Sequence, residues 1–274
     1  MGAAKKLFNF YINSSIHVSL AVISLVVVTC VHFEIPVRES LVIFIFFGCI
    51  CGYNFVKFAG ITGLHHRSLT RKLRIIQIFT GFCLLACALA AFYVEIEVLI
   101  WSGFFGIFTL LYALPIFSKR RNLRSISGLK IFIIAFVWAG VTVVLPLIPF
   151  RNVILDNLTL EFSQRFLLVL VWILPFEIRD LKYDLEQLGT LPQQMGVTKT
   201  KLLGIFLLVI VISLEFFKKG TGAEGSFYAL LLICVLTGIL VWKSKEEQSR
   251  YFSAFWVEGI PVVWLVLLWL FGSF

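Results

Sequence analysis

Asp180 and Asp184 follow an apolar run, within the segment Pro175 to Val197, PFEIRDLKYDLEQLGTLPQQMGV. Four residues apart, they share a helix face, and their carboxylates can hold one cation or one cation-bound ligand together. Charge at the end of a lipid-embedded helix is costly, so such a pair points to a site. The competing reading is a structural ion pair of Asp180 with Arg179 or Lys182. Glu177, one turn earlier, extends the acidic face or forms a buried salt bridge with Lys57 or Lys119.

The elements that carry these residues are helices in a membrane. The 274 residues are 60% hydrophobic and 14% charged, with a mean hydropathy of +0.98, a composition outside the soluble globular range. Apolar runs recur at Ile16 to Phe33, Leu41 to Ala59, Ile75 to Val94, Val98 to Phe117, Ile131 to Pro149, Phe166 to Ile178, Leu202 to Phe217, Phe227 to Trp242 and Phe255 to Phe271. Most approach the roughly 20 residues that cross a bilayer; Phe166 to Ile178 and Leu202 to Phe217 are shorter and are expected to continue as helix past their apolar part. No Pro-, Gly- or Ser-rich linker divides the chain. The expectation is all-α: one polytopic bundle over residues 1–274 with nine transmembrane helices.

Alternating the loops from an inside N-terminus places all Lys and Arg except Arg38, Arg151, Arg165, Lys218 and Lys219 on the inner face, as the positive-inside rule asks. The net charge of +9 then gathers on one face, where it fixes topology or attracts anionic lipid heads or a phosphorylated ligand. So little polar mass disfavours a nucleic-acid partner. Lys5 and Lys6 precede the first run, which lacks a small-residue cleavage site and is expected to be retained as a span. We expect an integral, multi-pass protein of a bacterial cytoplasmic (inner) membrane.

Cys30, Cys49, Cys51, Cys83, Cys87 and Cys234 lie in apolar runs without metal-binding spacing and read as small buried hydrophobes. The adjacent pair His65 and His66 resembles a metal pair but faces two ways on a helix, and reads as a solvated loop or a headgroup contact. Glu95, Glu97 and Glu258 lie at or just inside span ends, and Glu258, the most costly, is expected to pair across helices. The loops Lys57 to Arg74 and Arg179 to Lys201 stand four spans apart, which hints at a duplicated four-helix unit plus a ninth helix. Gly189 to Pro192 is expected to end the Asp180 helix, and Thr198 or Thr200 to cap the next.

Ile178-Arg179-Asp180, Asp184, Gly189-Thr190-Leu191-Pro192 and Gly196 resemble, in order and spacing, the second aspartate-rich motif of the UbiA-type intramembrane prenyltransferases. Tyr112-Ala113-Leu114-Pro115 followed by Lys119 is similar to that family's tyrosine and lysine at the end of the fourth helix. The resemblance covers the whole chain in topology and about three short segments in residues. It implies nine helices, an inside N-terminus and acidic motifs after the second and sixth spans. It further implies a polyprenyl diphosphate bound through Mg²⁺, ionisation toward an allylic cation, and attack by an acceptor. Asp180 and Asp184 would hold the metal, Lys119 and Arg179 the phosphate oxygens, and Tyr112 and Asn54 would orient the substrate.

The family's first motif, NDxxDxxxD, is altered here. The segment Asn54-Phe55-Val56-Lys57-Phe58-Ala59-Gly60-Ile61-Thr62 keeps the asparagine and places Phe55, Phe58 and Thr62 at the aspartate positions. No acidic residue occurs between Glu39 and Glu95, so no shifted alignment restores the motif. Lys57 then stands where a metal would help neutralise the diphosphate, with one Mg²⁺ left to Asp180 and Asp184. Two functions remain open: a prenyltransferase with an altered site, or a non-catalytic isoprenoid-lipid-binding or scaffold protein on the same fold. A small-solute transporter fits less well, because its polar groups would lie mid-membrane on several helices.

Overall fold

The computed structural model describes residues 2–59, 71–114, 128–150, 155–182, 189–219 and 224–272. Among the described residues ten helices follow one another: α1 (Ala3–Asn13), α2 (Ile16–His32), α3 (Glu39–Ala59), α4 (Arg71–Ala91), α5 (Ile96–Ala113), α6 (Leu129–Leu147), α7 (Leu155–Asp180), α8 (Leu191–Glu215), α9 (Glu224–Lys243) and α10 (Phe252–Leu270). Eight are long and apolar enough to cross a membrane by themselves. A ninth span arises if α1 and α2, bent by 55°, count as one. The all-α polytopic expectation is met, and each apolar run is helical over most of its described residues. The two short runs grew as expected, α7 backward to Leu155 and α8 backward to Leu191.

The bundle is built around α2 and α7. One core gathers Leu25 and Val28 of α2 with Leu168, Val169, Val171 and Trp172 of α7 and residues of α8, α9 and α10. A second joins Val22 and Val26 to Leu41, Ile45, Val98, Phe105 and Leu145. The apolar side chains that α4 and α5 expose, such as Phe82, Leu84, Leu85 and Ile100, form the lipid-facing surface that a spanning helix needs.

Two π turns interrupt the helices, at Gly140–Val144 in α6 and at Phe252–Val257 opening α10. A π turn inserts one residue and re-aims the side chains after it. At the first, a Cβ added to Gly140 would lie 2.1 Å from the ring atoms Cε1 and Cζ of Phe105. Phe105 is buried and wedged edge-on between Phe104 and Phe136, so its ring has no free space to enter. Gly140→Ala is therefore expected to lower stability by about 1–3 kcal/mol, read as a lower unfolding midpoint in detergent. Gly204→Ala, which meets the flexible end of Leu174, should cost less.

The connection into α8 differs from expectation. The helix starts at Leu191, capped by Thr190, whose backbone amide donates to Oε1 of Gln193 at 2.9 Å in a capping box. Thr198 and Thr200 lie inside it, and Gly196 breaks it with a φ of 80°. Thr200 donates its hydroxyl to the Gly196 carbonyl at 2.9 Å, across the break. α7 ends at Asp180, well before Gly189.

Candidate functional site

The basic end of the bundle is where α3 and α7 finish and α2 and α10 begin. Its corner is Ser15, between α1 and α2, a non-glycine residue in the left-handed region with a φ of 67°. Such a conformation costs about 1–3 kcal/mol and persists only when its surroundings over-determine it. Here α3 holds it: Ser15 donates to Oδ1 of Asn54 at 2.8 Å and accepts from Nζ of Lys57 at 2.8 Å. Asn54, buried, also donates through Nδ2 to the Ser14 carbonyl and to Thr80 of α4. Its amide thus fixes three helices at one point.

Arg179 and Asp180 close α7 on the other side. The guanidinium donates through Nε to Oδ1 of Asp180 at 2.7 Å and through Nη2 to Oδ2 at 3.1 Å, and lies over the Phe176 ring. Both side chains are about one-quarter exposed, so the pair is open to an incoming ligand. Glu177 is buried and pairs with Lys130 of α6 at 2.6 Å; Lys119, an expected partner, lies outside the described residues. Below the charges, Tyr53 of α3 accepts a hydrogen bond from Nε1 of Trp138 at 2.6 Å, and the buried Tyr112 lies within electrostatic range of Tyr53. Asp184 and Lys119, expected partners of this cluster, lie outside the described residues, as do His65 and His66.

Glu258, expected at or just inside a span end and to pair across helices, sits near the start of α10 at this end of the bundle. Three bonds triangulate its place. His17 of α2 contacts the Phe255 carbonyl through Nε2 at 2.9 Å, and Gln248 and Ser253 donate to the Pro175 carbonyl of α7 at 2.9 and 3.4 Å. The π turn then presents Glu258, whose amide donates to the Ser253 carbonyl at 3.1 Å, toward α3 and α7. Its carboxyl group lies within electrostatic range of Lys57 and Arg179 and forms no ion pair with either at 4 Å or less. Among the described residues no three His, Cys, Asp or Glu side chains form a metal-sized group.

No protein-family model matches the sequence, and no curated protein matches it. Solved structures do match. A UbiA homologue from Aeropyrum pernix K1 aligns over 93% of this chain and 97% of its own, at a TM-score of 0.63 and 14% identity. The chain has the UbiA-like fold. A UbiA homologue from Archaeoglobus fulgidus, solved with GPP and Mg²⁺, gives a TM-score of 0.62 at 11% identity over 97% of this chain and 99% of that one. A digeranylgeranylglyceryl phosphate synthase gives 0.57 at 16% identity over 96% and 98%. The UbiA-like bundle accounts for the near-complete coverage of both chains.

A second charged cluster, at the opposite end of this UbiA-like bundle, went unread in the sequence. Glu161 of α7, buried, is shared by three cationic or potentially cationic groups: Arg165 at 2.8 Å, Lys218 at 2.6 Å and His32 of α2 at 3.1 Å. Lys218 also meets Glu215 at 2.8 Å and Oε1 of Gln164 at 2.8 Å. Burial alone would pull the Lys218 ammonium down; Glu161 and Glu215 outweigh this and hold it above the usual lysine range. Arg165 donates to the Leu25 carbonyl and to Thr142 and Thr29, and stacks on Trp264. The charge count treats Arg165 and Lys218 as residues of the outer loops; both are buried. The signal was Glu161, Gln164 and Arg165 at i, i+3 and i+4, one polar face on an otherwise apolar helix.

Proposed function

We propose that the protein is a UbiA-like membrane prenyltransferase that binds a polyprenyl diphosphate at the basic end of the bundle and transfers its prenyl group to an acceptor. The reading is supported by the UbiA-like fold together with Lys57 at the end of α3 and the Arg179–Asp180 pair at the end of α7. Lys57 and Arg179 come from α3 and α7 and supply charge-assisted donors for phosphate oxygens. Asn54 acts through the elbow at Ser14 and Ser15, holding α3 so that Lys57 faces the cluster. Tyr53, Tyr112 and Trp138 offer aromatic surface to the prenyl chain.

A diphosphate-borne Mg²⁺ fits these residues better than a resident ion. It needs only one or two protein carboxylates beside phosphate oxygens and water, which Asp180 and Asp184 can provide. When bound, the ion neutralises charge on the departing diphosphate. Arg179 turns from Asp180 to a phosphate oxygen, which leaves the carboxylate available. An inside N-terminus puts this end of the bundle on the cytoplasmic face, where the basic loops also lie.

The test is pyrophosphate release from geranylgeranyl diphosphate by the purified protein, with and without Mg²⁺. Release is expected with the metal and not with chelator. Lys57→Ala is expected to weaken binding of the diphosphate by roughly tenfold or more. Absence of release from the unaltered protein would sink the transferase reading. Tight binding without release would support the second reading, a non-catalytic isoprenoid-diphosphate-binding protein, which Phe55 and Phe58 favour by standing where the family's pattern has aspartates.

A further inference from the structure

We propose that the Ser15 hydroxyl is the positioning group for Lys57, fixing its ammonium through one of its three N–H donors and leaving the others for an incoming diphosphate. This inference rests on the proposed function and adds a residue that sets how tightly the seat holds its headgroup. The first observation is a serine whose hydroxyl is not used by its own helix. Ser15 is the N-cap of α2, yet its side chain makes no bond to the first turn, and its backbone sits at a φ of 67° and a ψ of 15°. Serine at an N-cap ordinarily offers its oxygen to a backbone amide of the first turn. A glycine would reach the left-handed region without strain and would cap almost as well. What serine supplies here, and glycine would not, is an oxygen aimed at α3.

The direction of every bond around that oxygen follows from its partners. Thr80 donates its hydroxyl to the Ile76 carbonyl at 2.8 Å, so its oxygen accepts from Nδ2 of Asn54, also at 2.8 Å. Nδ2 donates as well to the Ser14 carbonyl at 3.1 Å, a group that can only accept, and this leaves Oδ1 of Asn54 facing Ser15. The single Ser15 hydroxyl proton is thereby committed to Asn54, and its oxygen accepts from Nζ of Lys57 at 2.8 Å. The mount is rigid: the Ser15 carbonyl accepts both the amide and the hydroxyl of Ser19, at 3.1 and 2.8 Å. Ser15 and Asn54 are buried, whereas Lys57 is exposed. A buried oxygen therefore anchors an ammonium carried on an exposed stem. A lysine head is otherwise free to swing on its flexible four-carbon chain. Held at Ser15, it has lost that freedom before the ligand arrives, and binding is tighter for it.

The experiment measures binding of geranylgeranyl thiolodiphosphate, which does not ionise, without Mg²⁺, beside the unfolding midpoint in detergent. Ser15→Ala and Ser15→Gly delete the same hydroxyl and differ in strain at a φ of 67°. Both are expected to weaken binding by roughly three- to tenfold, the cost of ordering one long side chain, while Ser15→Gly is the more stable of the two. A hydroxyl that serves only the elbow gives the other pattern, with affinity following stability and Ser15→Gly close to the unaltered protein. Lys57→Ala/Ser15→Gly should bind no more weakly than Lys57→Ala, because Ser15 acts through the lysine. Ser15 variants that bind like the unaltered protein, or additive losses in the double variant, overturn the inference, and a loss in Lys57→Ala alone keeps the seat. Binding that Lys57→Ala leaves unchanged, or no binding by the unaltered protein, overturns the seat and the inference together. If neither Ser15→Ala nor Ser15→Gly folds, Ser15→Cys decides by the same loss of affinity, since its sulfur is a poor acceptor in nearly the same place.

Discussion

Glu161→Ala is expected to destabilise the protein by about 3–5 kcal/mol, the usual cost of removing one partner from a buried ion pair. Glu161 is the anion shared by Arg165, Lys218 and His32. Without it, Lys218 retains Glu215, and Arg165 retains only neutral oxygens and the Trp264 ring. Arg165→Met should cost less, because Glu161 still has Lys218 and His32. Combining the two as Glu161→Leu/Arg165→Met should recover part of the loss, since neither charge is then orphaned. Thermal or denaturant unfolding in detergent reads all three. A single Glu161→Ala variant as stable as the parent would show that water reaches the cluster.

Asp180→Asn is expected to lower Mg²⁺-dependent pyrophosphate release by about 10² to 10³, the scale seen when one preorganised charge-stabilising group is lost. Affinity should move the other way. Asp180 engages both Nε and Nη2 of Arg179, so neutralising it frees the guanidinium for phosphate. Binding of the thiolodiphosphate without metal should be equal or tighter in Asp180→Asn, while turnover falls. This split separates a metal-holding carboxylate from a structural partner of Arg179, whose loss would weaken binding and release together.

The helices were legible because lipid demands long apolar runs, and such runs survive in any sequence that spans a membrane. Asp180 and Arg179 were legible because a helix end written Ile-Arg-Asp keeps its residues together along the chain. Glu258 was only half legible. An isolated glutamate at a span end signals cost, but the cations within its electrostatic range come from α3 and α7, and no local pattern names them. The Glu161 cluster failed for the same reason: counting cations by loop assumes that each faces water, and Arg165 faces Thr29, Thr142 and Trp264 instead. The start of α8 was misplaced because Gly189 to Pro192 was weighed only as the end of the preceding helix, with Thr198 or Thr200 as the cap of the next. The Thr190 to Gln193 box nucleates the helix more than two turns earlier, and the bundle accommodates Gly196 as a break.

The buried ions of α7 also bear on how the chain enters the bilayer. With a mean hydropathy of 1.4, α7 is the least apolar of the eight spanning helices, and a charged residue costs about 2.5–3.5 kcal/mol at the helix centre during translocon-mediated insertion and less toward the end where Glu161 and Arg165 lie. Glu161 and Arg165 offset each other within one turn, but their remaining partners sit on α2, made earlier, and in the turn after α8, made later. Lateral release of α7 into lipid is thus favoured once α2 waits beside it and Lys218 has emerged. The same network that locks the finished bundle ties the biogenesis of its central helix to the arrival of its neighbours.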